Sequence, residues 1–119
     1  MTTDEKLQFV LKVLEDKKAR DVEVMDVRER TLMADYFVIA SGTSNTHIKA
    51  TADGIIKDGR DAGLGKIACE GYTQGKWVLV DLGDIIVHLF SPEEREFYDL
   101  ETLWKATAEK LDEEGGEEQ

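Results

Sequence analysis

A chain of 119 residues suffices for one domain whose core needs neither disulfide nor metal. Fifteen lysines and arginines against twenty-six acids leave a net charge of −11, and five of the acids lie in the last eight residues, DEEGGEEQ; without them the balance is still −11 + 5 = −6. Such a chain is repelled by a phosphate backbone, which is bound through lysines and arginines, so work beside nucleic acid is expected to run through a basic protein.

In chain order, residues 2–17 predict a helix. Thr2 and Glu5 have capping-box spacing, and Leu7, Val10, Leu11 and Leu14 share a face that Phe9 and Val13 widen. The start MTTDEKLQFV lacks the pattern of a signal peptide and no segment is long and apolar enough for a bilayer, so the expected location is cytoplasmic. DVEVMDV (21–27) alternates valines with acids, as an edge or half-buried strand does. YFVIASG (36–42) is apolar on both faces and suits a central strand.

Ser44 then caps a second helix to about residue 62, with Ile48, Ala52, Ile55 and Ile56 inward and Gly63 ending it. KIACEG (66–71) is a short strand in which Cys69 reads as a buried thiol of a reducing compartment. The loop YTQGK leads into WVLVDL and DIIVHLF, joined by a tight hairpin turn at Gly83-Asp84. Ser91, Pro92 and Glu94 open a last helix to about residue 111, with Phe97, Leu100, Trp104, Ala108 and Leu111 inward. Residues 1–111 are thus expected to form one domain and 112–119 a disordered acidic tail. The order αββαβββα gives an α/β (α+β) domain: a mixed five-stranded sheet flanked by helices in three layers.

Three sets of residues compete for a chemical role. Asp81, Asp84 and His88 offer two carboxylates and an imidazole, with Asp84 and His88 on one side of a strand; the alternative is that the aspartates serve the turn and His88 makes one hydrogen bond. Ser41, Gly42, Thr43 and Ser44 stand between strand and helix, where a phosphate-binding turn would sit, but helix capping explains Ser44 equally well. Trp77 shares a face with Leu79 and Asp81, while Val78, Val80 and Leu82 share the other. Pattern alone allows the indole either burial under a helix or display beside acids, and the second is the profile of a protein-binding anchor.

These residues carry a resemblance. Asp26-Val27-Arg28 with Thr31, Ala34 through Ile39, Ser41-Gly42-Thr43-Ser44, Glu70-Gly71, Trp77, Asp81-Leu82-Gly83-Asp84, Val87 through Phe90, Arg95, Tyr98, Leu100-Glu101 and Leu103-Trp104 together resemble the ribosomal silencing factor, or Iojap-related, family over about residues 5–106. The resemblance implies a nucleotidyltransferase-like fold without the catalytic acid pair, and no D-x-D or D-x-E follows the Gly42-Thr43-Ser44 turn in the next helix or strand. It also implies a protein that binds the large ribosomal subunit through its basic protein L-fourteen, blocks small-subunit association, and represses translation when nutrients are short. No cofactor, metal, membrane or sequence-specific nucleic-acid contact is expected, and the free apolar surface would allow a homodimer. On this reading Trp77 is the anchor and Glu70, Asp81 and Asp84 meet basic side chains of the partner. Tyr72, Leu79, His88, Arg95 and Tyr98 complete the expected partner-binding set. The alternative is a nucleotidyltransferase-like or metal-dependent enzyme on Asp81, Asp84 and His88.

Overall fold

The computed structural model describes residues 2–100 and 102. Its elements run α1 (Thr3–Asp16), β1 (Arg20–Asp26), β2 (Tyr36–Ser41), α2 (Asn45–Asp61), β3 (Ala68–Glu70), β4 (Trp77–Asp81), β5 (Ile85–Phe90) and α3 (Pro92–Tyr98). Helix starts follow their side-chain caps. Thr2 and Glu5 form both halves of a capping box, and the hydroxyls of Ser44 and Ser91 accept from the N–H groups of His47 and Glu94. Gly63, with φ +74°, follows the end of α2.

The five strands form one mixed sheet in the order β1-β2-β5-β4-β3. β2 and β5 run parallel, while β1–β2, β4–β5 and β3–β4 are antiparallel. Gly83, at φ +94°, turns the β4–β5 hairpin, closed by the Leu82 N–H on the Ile85 carbonyl. One face meets α1 and α2: Val38, Ala40, Val78, Val80, Val87 and Leu89 pack against Val10, Val13, Leu14, Ile48, Ala52 and Ile55. Full burial of such side chains contributes about 1.5–3 kcal/mol each, so this layer fixes the register of β4 and thereby turns Trp77, Leu79 and Asp81 to the opposite face. There a second cluster of Val27, Ala34, Phe37 and Ile86 gathers at one end, with Met25 and Leu79 against it. No helix among the described residues is long and apolar enough to cross a membrane.

β1 is an edge strand, one of the two readings its alternation allowed, and in it Glu23 and Met25 are partly covered while Val22 and Val24 are exposed. The strand lies at the sheet edge and the helices pack over β4 and β5, so its valines find no cover. The last helix does not run on from Ser91 in one piece: α3 ends at Tyr98 because Asp99 adopts a left-handed conformation, φ 46°. This break spoils the inward progression that began at Phe97, whose ring is 80% exposed. Trp104, Ala108, Leu111 and the acidic tail lie outside the described residues. Cys69 is half-buried against the helix-side core, and burial, aided by Asp53 and Glu70, raises its thiol pKa.

Candidate docking surface around Trp77

β4 begins at the crowded end of the sheet's second face. Trp77 stacks on its cross-strand partner Phe90, with ring centroids 4.8 Å apart at 29°, and its other neighbour is Tyr98 of α3, also at 4.8 Å. The indole Nε1–H donates to Nδ1 of His88 at 3.3 Å. Trp77 is therefore half-buried, held by three aromatic side chains, and displayed only along part of its ring. Leu79, half-buried, continues the row, and Glu70 faces it across the β3–β4 pairing. Tyr98 is 47% exposed and touches Phe97 edge-on at 5.1 Å, which extends the aromatic rim.

The indole borders two hollows. One is lined by Glu70, Gly71, Trp77 and Leu79, the other by Gly71, Gln74, Lys76, Trp77, Glu94 and Tyr98. Gly71 forms a wall of both for a steric reason: at φ +77° its Cα sits so near the Trp77 carbonyl that a Cβ would collide with it. α3 is pinned beside this site by the Ser91 N–H on the Lys76 carbonyl and by Arg95, whose Nη1 donates to the buried Ser41 hydroxyl at 2.9 Å. Arg95 thus positions the helix that carries Tyr98.

The structure does not bring all the expected residues together. Asp84 lies at the other end of the hairpin and belongs to the α1 side, where it accepts from Lys6 Nζ at 2.7 Å and Thr3 Oγ1 at 2.5 Å. Burial works to raise its pKa, but those hydrogen bonds outweigh it and hold the carboxyl below the usual aspartate value. Its role is to fasten α1 to the turn, so it does not share a side with His88 as the alternation suggested. Asp81 accepts from the Gly83 N–H at 2.8 Å, in keeping with the turn reading. Tyr72 turns to α2: its hydroxyl donates to Asp53 at 3.0 Å and Lys49 lies over its ring at 5.7 Å.

The would-be catalytic set is dispersed in the same way. Asp81 serves Gly83, Asp84 serves Lys6, and His88 serves Trp77. Among the described residues no group of three or more His, Cys, Asp or Glu is placed to hold a metal. In the Gly42-Thr43-Ser44 turn, His47 Nδ1 accepts the Thr43 N–H at 2.9 Å, its Nε2 meets the Lys17 carbonyl at 2.7 Å, and Ser44 caps α2. These donors and acceptors join α2 to the end of α1. Two aromatic residues complete the site beyond the expected set: Phe97, exposed although its helical spacing predicts core, and Phe90, fully buried beneath the indole and on the same face of β5 as His88 by strand parity.

With this geometry in hand, comparison with known proteins is specific. The family model described as "Ribosomal silencing factor during starvation" matches residues 1–119. The chain is 39% identical to a ribosomal silencing factor of Halalkalibacterium halodurans over 104 residues, 87% of this chain and 89% of that one. It is 39% identical to the one from Bacillus subtilis over 98 residues, 82% and 83%. A mouse protein named "Mitochondrial assembly of ribosomal large subunit protein 1" is 35% identical over 82% of this chain and 44% of its own length. A crystal structure of a Chromobacterium violaceum protein superposes with a TM-score of 0.85 at 35% identity, covering 88% of each chain, and one from Bacillus halodurans with 0.78 at 39%, covering 86% and 95%. The sheet order, the aromatic face and these matches lead to one conclusion: the chain belongs to the ribosomal silencing factor family.

Proposed function

We propose that this chain docks on the large ribosomal subunit through the basic protein L-fourteen, prevents the small subunit from joining, and so represses translation under nutrient limitation in the cytoplasm. The observation that carries the proposal is Trp77, an indole braced by Phe90, His88 and Tyr98 yet open to two hollows. A rigid aromatic with one free edge beside hollows that can receive side chains is the anatomy of a binding hot spot. Leu79 and Tyr98 supply the apolar surround, and Glu70 is the carboxylate best placed to meet a partner's lysine or arginine. Net charge −11 steers the domain toward a basic protein and away from bare RNA. The large subunit as partner is supported by the family resemblance and by the name of the mouse relative. Steric occlusion then suffices, without turnover.

Sedimentation with separated ribosomal subunits tests the proposal. The expected outcome is recovery with large subunits and not with small ones, weakening as salt rises. Equal recovery with both, or none with the large subunit at low salt, would overturn it.

A further inference from the structure

The polar edge of Trp77 is not left to solvent. Its Nε1–H crosses from β4 to Nδ1 of His88 on β5, a diagonal neighbour in the ladder. A ring nitrogen that accepts carries no proton, so His88 is neutral with its hydrogen on Nε2. The site suits that form. The imidazole is only 5% exposed, meets Phe37 edge-on at 4.9 Å, and lies nearly parallel to Phe90 at 6.2 Å. Burial pushes its pKa down to about 4. Nε2 is buried with no hydrogen-bond partner. A histidine kept for packing alone could be replaced by an apolar side chain that leaves no donor unpaired; here the one satisfied nitrogen is the one facing the indole.

Phe90 and Tyr98 lie on the indole, but stacking constrains the plane of a ring and not which of its edges points inward. An acceptor at Nε1 favours one of the two in-plane orientations, since the flipped ring would lose its hydrogen bond. We propose that His88 is the positioning residue for Trp77, selecting the orientation in which the indole presents its free edge to the two hollows. The proposal rests on the docking role given to Trp77 above. The gain is preorganisation: the anchor is set before the partner arrives, and no rotamer freedom is lost on binding.

The test uses the full chain with His88→Phe, which fills the site without an acceptor, and His88→Asn, which keeps an oxygen near the position of Nδ1. In 1H–15N spectra, where Trp77→Phe identifies the Trp77 indole against that of Trp104, the Trp77 Nε1–H should exchange slowly in the parent and in His88→Asn, and fast and shifted in His88→Phe. Affinity for purified large subunits should fall about ten-fold in His88→Phe, the worth of one hydrogen bond. In the Trp77→Phe background the same change should cost less than about two-fold, because there is no indole left to position. An unaltered indole resonance in His88→Phe, or an equal affinity loss in both backgrounds, would overturn the proposal. If Trp77→Phe itself binds like the parent, the docking role of Trp77 fails, while the indole spectra still decide whether His88 sets the ring.

Discussion

Asp84 and His88 stand four residues apart and both lose stability on acidification, each in its own pH range. His88 has a folded-state pKa of about 4 against an ordinary 6.5, so between those values the unfolded chain binds its proton and the native one does not. Its contribution to stability is complete above pH 6.5 and is lost as pH falls toward 4. At ~1.4 kcal/mol for each pH unit the loss is roughly 3 kcal/mol, and His88→Phe should abolish that part of the slope in urea denaturation followed from pH 7 to 4.5. Asp84, held low by Lys6 and Thr3 against its burial, contributes above the ordinary aspartate range and loses that contribution only below it. The two residues therefore titrate in separate windows. The Lys6–Asp84 pair has side-chain exposures of 13% and 27%, so Asp84→Ala leaves a largely covered ammonium with the Leu82 carbonyl but without its counter-charge. This should destabilise by about 1–3 kcal/mol while subunit affinity is unchanged, since the carboxylate faces α1. A thermal melt beside co-sedimentation checks both halves; lost binding with an unchanged melt would return Asp84 to the docking surface.

Helices and turns were legible where their cause is local. Thr2, Ser44 and Ser91 mark helix starts within a residue, and Gly83 marks the hairpin, because caps and positive φ are decided by neighbours in the chain. The partition of β4 into Val78 and Val80 against Trp77 and Leu79 was equally readable, since strand parity admits one solution once a core face exists. What escaped depends on distant partners. The β2–β5 parallel pair joins segments separated by α2, β3 and β4, the exposure of Val22 and Val24 reflects which strands the helices cover, and Asp84 found Lys6 across 78 positions. Trp77 itself was legible as a face but not as a half-buried ring, because its braces come from β5 and α3. Gly71 shows how tightly that local architecture is set. Gly71→Ala places a Cβ against the Trp77 backbone at a positive φ, and the strain and overpacking together should cost on the order of 2–4 kcal/mol. A melt within a degree of the parent would mean that the 71–76 loop rearranges freely, and that the hollows beside the indole are not fixed features.

At the scale of the molecule, the proposed docking assigns separate tasks to a charge of −11 and to one aromatic face. Charge governs the approach: removing residues 112–119 leaves −6, so association at low salt should slow modestly and converge with the parent at high salt, with the melting temperature unchanged. On the same proposal the aromatic face governs retention, and its test is Trp77→Ala. Half-burial against Phe90 and Tyr98 makes the ring part of the fold as well as of the surface, so its removal also weakens the domain. The two aromatic contacts amount to about 1–3 kcal/mol and the lost half-burial adds about 1–2 kcal/mol, whereas a domain of this size has about 5–15 kcal/mol in hand, so the variant should melt earlier yet stay folded at 25 °C. Loss of a central anchor from an interface costs on the order of 2–4 kcal/mol, a fall of about 30- to 1,000-fold in affinity for large subunits. Phe97→Ala is the companion: its ring is exposed beside Tyr98 and braces nothing in the sheet, so it should leave the melt alone and lower affinity less than Trp77→Ala does. Co-sedimentation at 25 °C, with circular dichroism on the same samples, separates the contributions. A folded Trp77→Ala that binds within five-fold of the parent would move the docking surface elsewhere on the domain. A folded variant that loses binding while keeping the parent's salt dependence would show that the indole holds the complex together and that charge serves to bring it there.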